Sequence, residues 1–134
     1  MIPDLAPAHV GISVYNMKES LEWYERCLGY RLIKDDGFVP ELKAHICFVE
    51  RDGFELELFE YVSTKKIPQD RLIPNEDIKT VGTKHIAFYV KDMEVVKKNL
   101  LKNDVKIVHE VSMDGDHVIF IHDCNGVLIE LIQK

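Results

Sequence analysis

The sequence has no apolar run approaching the roughly 20 residues that a membrane-spanning helix needs. Its start, MIPDLAPAH, has neither the basic region nor the apolar stretch of a secretion signal. A cytoplasmic location is therefore expected. Excess positive charge is missing too: 17 Lys+Arg stand against 23 Asp+Glu, a formal charge of -6, which repels phosphate backbones and anionic lipid surfaces. Neither nucleic acid nor membrane is expected as a partner. Cysteine is scarce: Cys27, Cys47 and Cys124 form an odd set with no CxxC spacing. That argues against a disulfide framework or a thiolate zinc site, and all three read as small buried thiols. What remains is 46% hydrophobic and 30% charged residues over 134, the usage of a globular chain rather than a disordered one.

Internal repetition is the main positive feature. HVGISV (9–14) leads through a polar step into a helical pattern ending at Leu28, and HIAFYV (85–90) leads through Lys91 and Asp92 into another. Short strands follow in both copies, YRLIK from residue 30 and VKIVH from residue 105. Each copy then closes on a glycine with a glutamate four residues on, Gly53 with Glu57 and Gly126 with Glu130. The histidines are offset by 76 residues and the glutamates by 73, as expected of two copies of one unit with different loops. Met17, Leu21, Tyr24 and Leu28 recur at helical spacing, and Gly29 stops the helix. HICFVE (45–50) and FELELFEY (54–61) flank Arg51-Asp52-Gly53, a hairpin signal. The second copy predicts a strand over 83–90, a helix over about 92–102, a strand over 105–109, then HVIFIHD and GVLIELIQ around Cys124-Asn125-Gly126. Asp114-Gly115-Asp116 reads as a turn. The order is strand, helix and three strands, twice over: module one 5–61 and module two 83–134. Residues 62–82, with Pro68 and Pro74, read as a linker free to move.

Alternation places the chemistry. His9 lies opposite Val10, Ile12 and Val14, and Glu57 opposite Leu56 and Leu58. His85 lies opposite Ile86, Phe88 and Val90, and Glu130 opposite Ile129 and Leu131. All four polar side chains are thus expected on the face away from the core. A single histidine or glutamate there is ordinarily a solvated side chain. Two copies of the same pair at matching places suit a divalent first-row ion with positions left for water or substrate. His45 reads as an exposed strand-end imidazole, and His117 and His122, five apart, as facing opposite ways.

HVGISV followed by MKESLEWYERCLGYRL, together with GFELELFEY, GTKHIAFYVKD and GVLIELIQ, resembles the vicinal oxygen chelate superfamily over nearly the whole chain. The resemblance implies an α+β fold, the glyoxalase/bleomycin-resistance/dioxygenase fold. In it two tandem βαβββ modules form one domain over 1–134, a cupped mixed sheet with helices on its outer face. It also implies a homodimer and one divalent ion per site, Ni, Co, Zn or Mn, with His9, Glu57, His85 and Glu130 as ligands. That full set resembles the isomerase and lyase branch. The activity implied is enolisation of a small carbonyl substrate (an acyl-CoA, a hemithioacetal or a keto compound) beside the ion. Glu57, Glu130 or Glu41 of Val39-Pro40-Glu41 would move the proton. Methylmalonyl-CoA epimerase-like members carry such a Pro-Glu, yet VSMDGDHVIF lacks their Arg-Gly and Ala-His-Gly run. Bacterial glyoxalase I-like members carry an arginine where this chain has Ser13. An Fe(II) ring-cleaving dioxygenase would use two His and one Glu, and a ligand-binding resistance protein often lacks the ligands altogether.

Overall fold

The computed structural model describes residues 1–134, the Met113 side chain excepted. Its contacts divide the chain into two compact units, Met1–Thr64 and Lys65–Lys134, each folded on the same plan. The first holds β1 (His9–Val14), α1 (Met17–Leu28), β2 (Arg31–Val39), β3 (Ala44–Arg51) and β4 (Phe54–Tyr61). The second holds α2 (Pro74–Asp77), β5 (Ile86–Val90), α3 (Met93–Lys102), β6 (Ile107–Met113), β7 (Asp116–His122) and β8 (Leu128–Gln133). Each forms a four-stranded mixed sheet, in the orders β1-β4-β3-β2 and β5-β8-β7-β6, with the first and last strands of the unit parallel. No helix among the described residues is long and apolar enough to cross a membrane.

Helix limits follow from capping. Asn16 accepts from Glu19 N–H at 2.9 Å ahead of α1, and Asp92 accepts from Glu94 and Val95 N–H at 2.9 and 3.1 Å ahead of α3. Gly29, at φ 68°, ends α1 in the left-handed conformation that glycine adopts without a Cβ penalty. The closing strand of each unit also ties down its helix. Glu60 Oε2 accepts from Met17 N–H in the first, and Gln133 Oε1 accepts from Met93 N–H in the second. Both side chains stand three residues after the glutamate of the repeated pair.

One face of each sheet is core. Ile12, Val14, Cys47, Val49, Leu56 and Leu58 are buried in the first unit, and Ile119, Ile121, Ile129 and Leu131 in the second. The thiols do not share one environment, as the sequence had implied: Cys47 is buried, Cys27 half-buried and Cys124 exposed.

The edge strands depart most from expectation. β2 runs nine residues to Val39 and β6 continues to Met113. β2 carries register shifts between Leu32 and Lys34 and between Asp35 and Gly37. The expected linker is more than a bare connector. It contains a 3-10 turn, Gln69–Leu72, and the single turn α2. The buried Asp77 gathers Arg71 Nε at 3.0 Å and Lys84 Nζ at 3.2 Å.

Candidate metal centre

Register brings the sequence-distant members of each pair together. In the first unit β1 runs parallel to β4 with Gly11 opposite Glu57, and Phe48 of β3 pairs with Glu57 from the other side. His9 Nε2 then lies 2.9 Å from Glu57 Oε2, and the His9 ring meets the Phe48 ring edge-on at 5.4 Å. The second unit repeats the arrangement. His85 Nε2 lies 2.9 Å from Glu130 Oε2, Phe120 pairs with Glu130 in register, and the His85 and Phe120 rings meet at 5.5 Å. Both glutamate side chains are 18% exposed and the histidines about a third exposed, so each pair is sheltered yet open to a small molecule. Gly11 keeps this face low: a Cβ there would sit 3.3 Å from the Phe59 ring.

The donor types of each pair suit a divalent ion. Adjacent ligands of a six-coordinate ion with bonds near 2.1 Å lie about 3.0 Å apart. Each pair at 2.9 Å already has that separation. Imidazole nitrogen and carboxylate oxygen are the ligand types that Zn, Ni, Co and Mn share. The flanking phenylalanines pack edge-on against the imidazole rings and limit their reorientation.

Glu41 stands apart from the pair in its own unit. It is exposed in the turn between β2 and β3, closed by Leu42 N–H to Val39 O at 3.1 Å and Lys43 N–H to Pro40 O at 3.2 Å. From Ala44 to Phe48, the position level with Glu57, the strand rises about 13 Å. His122 is spent on structure, its Nε2 2.9 Å from Leu72 O.

Sequence reasoning missed the two phenylalanines, although Phe48 and Phe120 each stand three residues after a histidine in HICF and HVIF. It also missed a cluster on the opposite, helix-facing side of the first sheet. There His45 Nε2 lies 2.7 Å from Asp35 Oδ1 and 3.5 Å from Cys47 Sγ. His45 and Cys47, two apart on β3, were bound to share a face; Asp35 is delivered by β2, whose bulges no periodicity reveals. The bond to His45, and then Gly37 N–H, holds the Asp35 carboxyl below its usual range. Burial, reinforced by Asp35, pushes the Cys47 thiol up to about 12. In the second unit His117 Nε2 lies 2.6 Å from Glu110 Oε1, and Lys97 and then His117 hold that carboxyl low.

Residues 6–131 match the family model for the Glyoxalase/Bleomycin resistance protein/Dioxygenase superfamily. The chain is 30% identical over 131 residues to the mitochondrial methylmalonyl-CoA epimerase of Dictyostelium discoideum, covering 94% of this chain and 76% of that protein. A glyoxalase family protein from Enterococcus faecalis shares its fold at a TM-score of 0.81 and 22% identity, over 98% of this chain and all of that one. Glyoxalase I from Zea mays does so at 0.71 and 22%, over 94% of this chain and 43% of that one. Such low identities speak to fold alone. The superfamily typically binds a divalent metal and spans epimerases, lyases and dioxygenases, along with resistance proteins that catalyse nothing. With its duplicated βαβββ plan and a match spanning both copies, the chain belongs to the Glyoxalase/Bleomycin resistance protein/Dioxygenase superfamily, also called the vicinal oxygen chelate superfamily.

Proposed function

We propose that this protein is a divalent-metal-dependent enzyme that enolises a carbonyl compound, an epimerase of the methylmalonyl-CoA type. The ligand set of this reading is His9, Glu57, His85 and Glu130, and the working form is a homodimer. The observation that carries it is the duplicated His–Glu contact, 2.9 Å in each unit, on the sheet face opposite the core. A ligand-binding resistance protein often lacks such ligands, and here both pairs are present. The 30% identity to a methylmalonyl-CoA epimerase over nearly the whole chain supports the substrate class.

When bound, a divalent ion supplies a Lewis acid that stabilises the charge an enolate carries. The chain's own residues do the rest. His9 and His85, braced by Phe48 and Phe120, hold fixed orientations. One of the two carboxylates, Glu57 or Glu130, takes the α-proton from one face of the substrate carbon, and the other returns a proton to the opposite face, which inverts that centre. This requires a base within roughly 3 Å of the proton it moves. Glu41, exposed in its turn, is the further base this reading allows.

The test is metal analysis of the purified protein followed by deuterium exchange at the α-carbon of methylmalonyl-CoA in D2O. Bound Ni, Co, Zn or Mn with exchange that Glu57→Gln and Glu130→Gln abolish is expected. If Glu41 is the base, Glu41→Gln lowers exchange at least roughly a hundredfold while leaving metal content unchanged. A protein that binds no divalent ion, or that exchanges neither methylmalonyl-CoA nor a hemithioacetal, overturns the reading.

A further inference from the structure

The two units carry the same acid–histidine pair on their helix-facing side, and the differences between the copies are informative. Register makes the correspondence explicit. Asp35 faces Cys47, which faces Leu58, and Glu110 faces Ile119, which faces Leu131. Cys47 in the first unit thus occupies the place of Ile119 in the second. The helices correspond as well: Leu21 and Lys97 each stand four residues after the first helical residue, Met17 or Met93. In the second unit Lys97 Nζ lies 2.5 Å from Glu110 Oε1 and supplies the positive charge. In the first, Leu21 stands there instead. The pair has exchanged a built-in cation for a thiol.

The geometry of the first cluster is not that of a proton relay. Asp35 Oδ1 and Cys47 Sγ both contact one nitrogen, His45 Nε2, at 2.7 and 3.5 Å. A relay would use the two ring nitrogens separately. The three ligand atoms instead lie within 4.8 Å of one another, so they can share a single atom placed among them. For tetrahedral zinc, nitrogen and sulfur ligands lie about 3.5 Å apart and nitrogen and oxygen about 3.3 Å. The observed nitrogen–sulfur spacing already matches. The nitrogen–oxygen spacing needs to open by about half an ångström, which the half-exposed Asp35 side chain can supply.

Other features support a ligand role. The register shift between Asp35 and Gly37 is a bulge, the device that re-aims a side chain. Gly37 N–H, 2.8 Å from Asp35 Oδ1, fixes the carboxylate as an outer partner does in metal sites. Asp36 and Glu60 add to the negative field around Cys47. His45, Leu21 and Glu60 line a cleft of about 750 Å³ beside α1, which brings solvent to the His45 side of the cluster.

We propose that Asp35 Oδ1, His45 Nε2 and Cys47 Sγ form a cation site for a borderline-soft divalent ion of the Zn2+ class, separate from the His–Glu set and specific to the first unit. Binding replaces the thiol proton of Cys47 by the ion and releases it to solvent. The site stands on these residues alone and does not depend on the activity proposed above.

Cobalt provides the test, because a sulfur-to-cobalt charge-transfer band in the near ultraviolet requires a thiolate and the His–Glu set has none. The folded wild-type protein, titrated with Co2+ under anaerobic reducing conditions, is expected to develop that band and saturate at one ion. Cys47→Ser should remove the band. Asp35→Asn, on an exposed position, should weaken Co2+ at this site at least roughly tenfold. Leu21→Lys removes no ligand, yet it should suppress the band by restoring the ammonium that Lys97 provides in the other unit. Persistence of the band in Cys47→Ser would assign it to Cys27 or Cys124 and overturn the proposal. So would its absence from the wild-type protein, or an affinity unchanged in both Asp35→Asn and Leu21→Lys. Those last two variants decide the matter even if Cys47→Ser does not fold.

Discussion

Replacing Asp77 by alanine tests whether the segment before β5 is held by one carboxylate. The Asp77 side chain is 2% exposed and accepts from Arg71 Nε at 3.0 Å and Lys84 Nζ at 3.2 Å. Hydrogen bonds to charged groups contribute about 1.5–3 kcal/mol each, and breaking a buried ion pair costs about 3–5 kcal/mol. Discounts apply here. Arg71 and Lys84 are 38% and 22% exposed, so both regain water. They also keep backbone acceptors, Arg71 on Thr83 O at 2.5 Å and Lys84 on Asp77 O at 2.6 Å. A net loss of about 2–3 kcal/mol is expected. With an unfolding entropy near 2.1 cal/mol/K per residue, that lowers Tm by about 7–11 °C for a chain of this length. Calorimetry of Asp77→Ala, Lys84→Met and the double variant measures it. The double variant should recover about 1 kcal/mol or more relative to additivity. A Tm change under about 2 °C, or strict additivity, would refute the idea that Asp77 anchors this segment.

The remaining predictions concern acid and turn geometry. The carboxyls of Asp35, Glu50 and Glu110 are held low, by His45, by Gly53 N–H and by Lys97 respectively. Their stabilisation is therefore complete above the ordinary carboxylate range and lost as pH falls through their lower folded values. Urea midpoints should hold between pH 7 and 5, then drop below pH about 4; Glu110→Gln should flatten part of that drop, and an unchanged acid limb would contradict the assignment. Gly126→Ala should cost about 2–4 kcal/mol, because φ is +88° and the new Cβ would meet Leu72 at 2.8 Å and Ile67 at 3.3 Å. Gly53→Ala has φ +83° and open space around it, so it should cost about 1–2 kcal/mol. Equal losses in the two denaturation curves would show that crowding at Gly126 is absent.

Legibility in the sequence tracked burial. The limits of α1 and β4 were readable as 17–28 and 54–61 because both elements have one buried face and so show a clear period. The second strand of each module was read short, as YRLIK and VKIVH, because β2 and β6 are sheet edges. Where most residues of β2 are exposed, no apolar alternation marks its length, and bulges break what period remains. The faces of His9, Glu57 and Glu130 were readable for the converse reason, their neighbours Ile12, Leu56, Leu58 and Ile129 being buried. What alternation cannot show is which residues lie across from each other. The contacts of Phe48 with His9 and of Asp35 with His45 arise from strand register, and the pairing of Lys97 with Glu110 from the packing of α3 on its sheet.

The Asp52-Gly53 turn, with φ of 52° and 83°, joins β3 to β4 with two residues in the left-handed conformation of a primed hairpin turn. Such a turn sets the parity of everything after it. Adding or removing one residue there would carry Leu56 and Leu58 to the open face and send Glu57 into the core, erasing the packing and the His9 contact together. Insertions at this point are tolerable in pairs only. The Pro40–Lys43 turn obeys a looser rule, since it follows an edge strand that already absorbs register shifts before Lys34 and before Gly37. A tag, a fused peptide or inherited length variation therefore has its natural place there and not four residues upstream of Glu57.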